Sequence, residues 1–266
     1  MFNSCNTPQN IFQSDLKEYF ADADANIPVM TEESIAHLPQ AIQNYLKYCG
    51  FVGKQIPMNA EWIWDNSSIK MKPDGKWMKL ETYQYNSVEK PFRIALMKAR
   101  MAGIVPFEGR DIYYDGRANM LGKIMKGITV INANDKETAQ SAAIVLLAEA
   151  LLVPGYIFQD YIKWEKINNL TVKGTIKNNG IQAEALFYFN DKGEYIRFHT
   201  LDRNFDNGDG TYKIVPYSIY VGEYRQMEEY ISPGHVSAVW HLDEGDYEYW
   251  LGDIETVNFN VKLKNH

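Results

Sequence analysis

The sequence predicts an α+β protein: one large, strongly curved antiparallel sheet, half-barrel-like, clasping a few helices. Three observations carry this expectation. From Met58 onward hydrophobicity alternates with period two over many short runs, the signature of half-buried strands. Turn signals such as Asp-Gly and Asn-Gly separate the runs at short spacing, with no repeating β-α-β alternation. A single very apolar segment, "SAAIVLLAEALLVPGYIF" (141–158), interrupts the strands. Ten or so strands, on the order of the largest open sheets, must curl or close. An apolar helix between two strand groups is placed to cover the concave face, and such a sheet can enclose an apolar cavity.

The elements follow in chain order. Ile11, Phe12, Leu16, Tyr19 and Phe20 recur at helical spacing, and "ADADANIPV" reads as a linker. Residues 1–30 are therefore an N-terminal helical extension and 31–266 a single curved-sheet α+β domain. "TEES" (Thr31 to Ser34) opens a short helical turn. Pro39 stands in the first turn of the next helix and Gly50 stops it, with Leu38, Ala41, Ile42, Tyr45, Leu46 and Cys49 forming its apolar stripe. The strands "NAEWIW", "SSIKMK" and "KWMKLETYQY" come next, divided by "DN" and the hairpin-like "PDGK". "PFRIALMKARM" and "GRDIYYDGRANMLGKIMKGITVIN" supply more. Asn134, with Glu137 three residues on, reads as the cap of an apolar helix near 135–152 that ends before Pro154. Further strands then run to the C-terminus, from "TVKGTIKNN" to "YEYWLGDIETVNFNV".

Composition excludes several functions. The chain has 266 residues and a formal net charge of −7, with no run of Lys and Arg, so no nucleic-acid partner is expected. No stretch is long and apolar enough for a transmembrane helix. "MFNSCNTPQNIFQSDLKEYF" has neither the basic nor the apolar region of a signal peptide, and Cys5 follows no lipoprotein signal; the expected compartment is the cytoplasm. The two cysteines, Cys5 and Cys49, support no disulfide framework, and Cys49 reads as a buried inert thiol. The five histidines, His37, His199, His235, His241 and His266, show no ligand spacing, so no metal is expected. G-x-S-x-G, P-loop and dinucleotide-binding fingerprints are absent, and no cofactor is expected.

Four landmarks in order, "LPQAIQNYLKYCGFVGK", "GRDIYYDGRANMLGKI", "LLAEALLVPGYIFQDYIKWEKI" and "VWHLDEGDYEYWLGDIETVNFN", resemble a widespread family of bacterial proteins of unknown function over roughly Thr31 to Asn260. The family's Leu-Pro helix with its Tyr-Leu-x-x-x-Gly ending is matched by Leu38, Pro39, Tyr45, Leu46 and Gly50. Its Arg-Asp-x-Tyr-x-Asp-Gly turn is matched by Arg110, Asp111, Tyr113, Asp115 and Gly116. Its Leu-x-Glu helix, followed by Pro and Trp, is matched by Leu147, Glu149, Pro154 and Trp164. Where relatives carry Pro-Trp, this chain has Pro216-Tyr217. The resemblance implies no activity; by shape it is similar to lipoprotein-carrier proteins, which hold lipid in a half-barrel, an analogy of fold alone.

Glu149 is the one formal charge within the apolar segment. A carboxylate there must be paired, hydrogen-bonded or protonated. It is either a ligand anchor or general base in a cavity, or half of a buried ion pair with Arg110, Arg93, Arg203 or Lys163; the ion pair is the more expected. In "GRDIYYDG", Arg110, Ile112 and Tyr114 face one side of a strand, and Asp111, Tyr113 and Asp115 the other. "DRNFDNGDGTY" has acids and glycines reminiscent of a calcium loop but reads as a polar hairpin turn. Strand tryptophans read as packing or as ligand-stacking groups. The ligand-binding candidates are Glu149, Arg110, Asp111, Tyr113, Trp164, Arg203 and Trp240. The function expected is the binding of a hydrophobic or lipid-like small molecule in an apolar cavity. The alternative is a hydrolase acting on a small or glycan-like substrate through acids such as Glu149 and Asp111.

Overall fold

Alternation at period two becomes seventeen strands, thirteen of them in one antiparallel sheet, in a computed structural model that describes residues 7–24 and 26–263. Cys5 and His266, and Ala25 of the linker, lie outside the described residues. Three helices lead: α1 (Pro8–Tyr19), α2 (Glu32–Ile35) and α3 (Gln40–Tyr48). Six strands follow: β1 (Asn59–Ile69), β2 (Met78–Ser87), β3 (Phe92–Met101), β4 (Val105–Tyr114), β5 (Arg117–Ile124) and β6 (Ile128–Ala133). Helix α4 (Lys136–Ala148) and a 3-10 turn (Pro154–Phe158) separate these from β7 (Ile162–Lys166), β8 (Thr171–Asn178), β9 (Ile181–Phe189) and β10 (Tyr195–Thr200). The chain ends with β11 (Asn204–Asp206), β12 (Tyr212–Ile214), β13 (Tyr217–Gly222), β14 (Arg225–Met227), β15 (Tyr230–Ser232), β16 (His235–Leu242) and β17 (Gly245–Phe259). The main sheet runs β6-β5-β4-β3-β2-β1-β17-β16-β13-β10-β9-β8-β7, while β11-β12 and β14-β15 form separate ribbons.

The long pairing of β1 with β17 joins the two halves of the chain at the middle of the sheet. Helix α4 lies on the concave side and touches β4 and β5 on one wing and β8 and β9 on the other. At one end the wings are also clasped directly by two turns. Asn178 Nδ2 donates to Asp115 Oδ1 (3.0 Å), Asn179 Nδ2 donates to the Asp115 carbonyl (3.0 Å), and Tyr113 OH donates to Asn178 Oδ1 (3.0 Å). The Asp115-Gly116 turn has positive φ at both residues (46° and 85°), and a Cβ on Gly116 would lie 2.6 Å from Asn179 Cβ. Glycine is needed there for backbone shape and for close approach.

Sheet alternation sorts the apolar residues into two cores. Inward positions join α3 and α4 in the main core. Outward positions of β3 and β4 (Phe92, Ile94, Leu96, Ile112) take the apolar stripe of α1 (Phe12, Leu16, Phe20). Strand β3 is therefore buried on both faces, with Arg93 the charge on its inner one.

Three local expectations change. The cap of α4 is Asp135 rather than Asn134: Asp135 Oδ1 accepts from Thr138 N at 2.8 Å and Oδ2 from Tyr212 OH at 2.8 Å. The helix stops at Ala148, short of 152, and passes through turns (Ala150 N to Leu147 O, Leu152 N to Glu149 O) before Pro154 bars any continuation by constraining Val153 (φ −122°, ψ 81°). "NAEWIW" and "SSI" belong to one strand, β1; Asn66 takes φ 47° in a bulge, and the ladders to β2 and β17 resume at Ser68. Cys49 is fully buried at the end of α3, and burial pushes its thiol up to about 12.

Two outcomes follow. At Gly155 an added Cβ would lie 2.2 Å from the Pro57 carbonyl oxygen, and Gly155 N donates to that same oxygen at 2.9 Å. Gly155→Ala should cost about 1–3 kcal/mol in chemical denaturation, the scale of overpacking. In a Cys5→Ser chain, the remaining thiol should react with Ellman's reagent only on unfolding; fast reaction of the native protein would contradict the burial of Cys49.

Candidate functional site

Between α4 and the middle of the sheet lies a cavity of about 400 Å³. Its apolar wall comes from inward positions of the strands, one face of the helix and the turn after it: Trp62, Trp64, Met78, Leu80, Met97, Phe107, Met120 and Trp250 opposite Ala142, Val145 and Leu152. Trp64 stands edge-on to Trp250 across the β1-β17 ladder, ring centroids 5.0 Å apart. Asn204, Asp206 and Tyr212 of the β11-β12 ribbon also line it.

Polar groups line one part of this cavity. Glu149 is the C-cap of α4, where the helix gives way to turns. Its Oε1 accepts from Arg93 Nε at 2.9 Å, and its Oε2 accepts from Asn86 Nδ2 at 2.8 Å. The same guanidinium donates through Nη1 to Asp111 Oδ2 at 2.8 Å. Side chains of Arg93 and Glu149 are only 12% and 13% exposed, that of Asp111 24%. Burial works against the charge on Arg93, and the two carboxylates outweigh it, so its pKa stands above that of an ordinary arginine. Gln84 Nε2 donates to Asn86 Oδ1 (2.9 Å). Tyr156 OH donates to the Phe92 carbonyl (2.8 Å), and burial pushes its phenol well up, leaving it a neutral donor. The clamp thus ties the end of α4, the 3-10 turn and strands β2, β3 and β4 into one network.

A second arginine stands apart from this network. Arg203 stacks against Tyr217 (3.9 Å from its central carbon to the ring centroid) and Trp240 (4.7 Å), and donates through Nη1 to Tyr249 OH at 3.3 Å. Its Nε is buried without a hydrogen-bond partner. Thr82 Oγ1 and Trp64 Nε1, on residues that line the cavity, are buried and unpartnered too.

Of the residues singled out in the sequence, Glu149, Asp111 and Arg203 line the cavity, and Trp240 backs Arg203 from behind it. Three lie elsewhere. Arg110 faces outward, with Nε 3.2 Å from Asp15 Oδ2 of α1, and donates to the Asn119 carbonyl at 3.0 Å. Tyr113 belongs to the wing clasp, and Trp164 packs edge-on against Phe187 (5.0 Å) on the far wing. Among the candidate cations for Glu149, Arg93 is the partner. Gln84, Asn86, Tyr217 and Tyr249 were not anticipated. Their signal was polar residues at alternate positions of otherwise apolar strands, Thr82, Gln84 and Asn86 in "TYQYNS" above all.

The convex face carries a different array. His241 Nδ1 lies 2.6 Å from Asp246 Oδ1, and its Nε2 lies 2.9 Å from Ser218 Oγ; His199 Nδ1 is 3.0 Å from the same oxygen. The order matches a Ser-His-Asp relay, but Ser218 is 0% exposed under Arg197 and the histidines. A substrate carbonyl has no approach to that hydroxyl, and mid-strand pairing to β10 and β16 occupies the backbone donors that an oxyanion would need. Asp206 and Asp209 accept from backbone N–H groups of their own turn, as in a polar hairpin. Among the described residues no three of His, Cys, Asp or Glu converge for a metal, and no helix is long and apolar enough to cross a membrane.

Fold and site together define a curved-sheet α+β protein with a helix-backed apolar cavity and a buried arginine clamp. The chain belongs to a family of unknown function, DUF6544, whose model matches residues 28–252. The comparison with curated proteins returned no match. Two solved structures are similar to the chain at low identity. One is a putative outer membrane lipoprotein-sorting protein domain from Vibrio parahaemolyticus (11% identity, 85% of this chain and 93% of that one, TM-score 0.46). The other is a LolA superfamily protein from Nitrosomonas europaea (8% identity, 84% and 94% covered, TM-score 0.45).

The clamp makes an ordered prediction for stability. Glu149→Gln should cost about 2–3 kcal/mol, because it leaves a buried guanidinium short of one carboxylate. Asp111→Asn, at a more exposed position with one bond to Arg93, should cost about 1 kcal/mol. Urea denaturation of both variants checks the order; equal or reversed costs would contradict the arrangement.

Proposed function

We propose that the protein binds a hydrophobic or lipid-like small molecule inside the half-barrel. The observation that carries this reading is the cavity itself, about 400 Å³ in volume, walled by tryptophan, methionine, leucine and alanine. Interiors normally pack to the density of organic crystals, so an apolar space of this size is a feature to be filled. Methionines at Met78, Met97 and Met120 give the wall adaptable surface. The thermodynamic drive is apolar surface leaving water, about 25 cal/mol per Å². As compartment the reading keeps the cytoplasm, which fractionation of native cells tests.

The hydrolase reading draws on one fact: Glu149 and Asp111 both reach the cavity. Each, however, commits an oxygen to the same guanidinium. That arrangement suits a structural clamp better than an acid and a base serving separate sides of a scissile bond.

Two measurements test the proposal. Native mass spectrometry of protein purified without detergent should show a bound small molecule. The neutral dye Nile red should bind with enhanced, blue-shifted emission, and Ala142→Phe, which projects a ring into the cavity, should reduce that signal. Apo mass alone together with no dye binding would contradict the proposal.

A further inference from the structure

The cavity is apolar over most of its wall, yet it holds a guanidinium, that of Arg203, with no carboxylate in contact. Among the described residues no carboxylate lies within 4.0 Å of Arg203, whereas Arg93 in the same cavity has two. Asp111 faces the same space and its charge favours that of Arg203 from beyond contact, but its Oδ2 is engaged by Arg93. Burying an unpaired charge is costly, and buried cations are ordinarily paired.

The geometry around Arg203 is that of a group held for presentation. The plane of its guanidinium is backed by Tyr217 and Trp240, with Tyr249 further off at 5.9 Å. Its Nη1 is fixed by the Tyr249 hydroxyl. Stacking occupies the face of the group; Nε, though unpartnered, is sealed within the fold, while Nη2 donates to no described residue and leaves the outer end of the group for a ligand. Charged N–H groups at that end suit the oxygens of a carboxylate or phosphate. Arginine in a fixed fork also loses less freedom on pairing than a lysine would. The apolar wall beyond it, Trp64, Trp250 and the methionines, suits a hydrocarbon body.

We infer that the ligand is an anionic single-chain amphiphile whose terminal oxyanion, a carboxylate or a phosphate monoester, pairs with the outer, Nη2 end of the Arg203 guanidinium while its hydrocarbon part fills the cavity. This rests on the proposed binding function and specifies its ligand. The Arg93 clamp is then the structural arginine of the cavity and Arg203 the recognising one.

Isothermal titration with three probes of the same chain length tests this: dodecanoate, dodecyl phosphate and dodecanol, each below its aggregation limit. The wild-type protein should bind at least one of the two anions about tenfold or more tighter than the alcohol; which anion is preferred identifies the head group. In Arg203→Gln that advantage should fall to within about threefold, and Arg203→Lys should retain an intermediate advantage because it keeps charge without the fork. Binding of dodecanol with no preference for either anion would overturn this inference and leave the hydrophobic-cavity reading standing. Binding of none of the three would overturn both. An anion preference that survives in Arg203→Gln would also overturn the assignment to Arg203. Should that variant fail to fold, an unchanged ratio in Arg203→Lys would overturn the fork, and the wild-type ratio decides the charge.

Discussion

The structure depends on one guanidinium. Arg93 reaches from the inner face of β3 to the end of α4 through Glu149, and sideways to β4 through Asp111. Without it the C-terminal end of the apolar helix would lose its charged link to β3 and β4, and packing there is non-directional. A buried ion pair is a poor source of net stability, because desolvation offsets much of the Coulomb gain. Its value here is position: it sets where the helix ends relative to strands β2 to β4. The early stop of α4 puts Glu149 at a cap rather than within the helix, where its carboxylate turns back toward the sheet.

Positioning the helix also defines the empty space. A helix that touches both wings but sits away from the centre of a curved sheet leaves a gap over β1, β17 and their neighbours, and that gap is the cavity. The turn-to-turn clasp of Asp115 with Asn178 and Asn179 holds the wings from a second direction. Together they let the interior forgo some packing, since the curvature is fixed by directional bonds at its edges. On the outer face, α1 covers β3 and β4, so the strand bearing Arg93 is braced on both sides.

Much of this was legible in the sequence. Period-two alternation and Asp-Gly or Asn-Gly turns identified the strands, and the apolar run at 141–158 identified the helix in the hollow. A strand arginine as the partner of Glu149 was legible because a carboxylate in that setting requires one. Less was legible where contacts are long-range. Nothing local links Trp64 to Trp250, or Asp115 to Asn178; only the closing of the sheet does. "DN" at 65–66 looks like a turn because Asn66 does take a positive φ, yet ladders on both sides carry the strand through it. Arg110 and Asp111 are neighbours in one motif and serve opposite faces, a consequence of strand geometry that alternation did give. That Arg203 has no carboxylate in contact could not be read from sequence, because it depends on how the elements folded around it place their acids.

The central claim is that Arg93 and Glu149 act as a coupled pair that fixes the helix, beyond their separate contributions. A double-mutant cycle with Arg93→Met, Glu149→Gln and the combined variant, read by urea denaturation, measures that coupling most directly. The expected interaction energy is about 2 kcal/mol, the double variant being less destabilised than the sum of the single ones. Additivity within about 0.5 kcal/mol would contradict it.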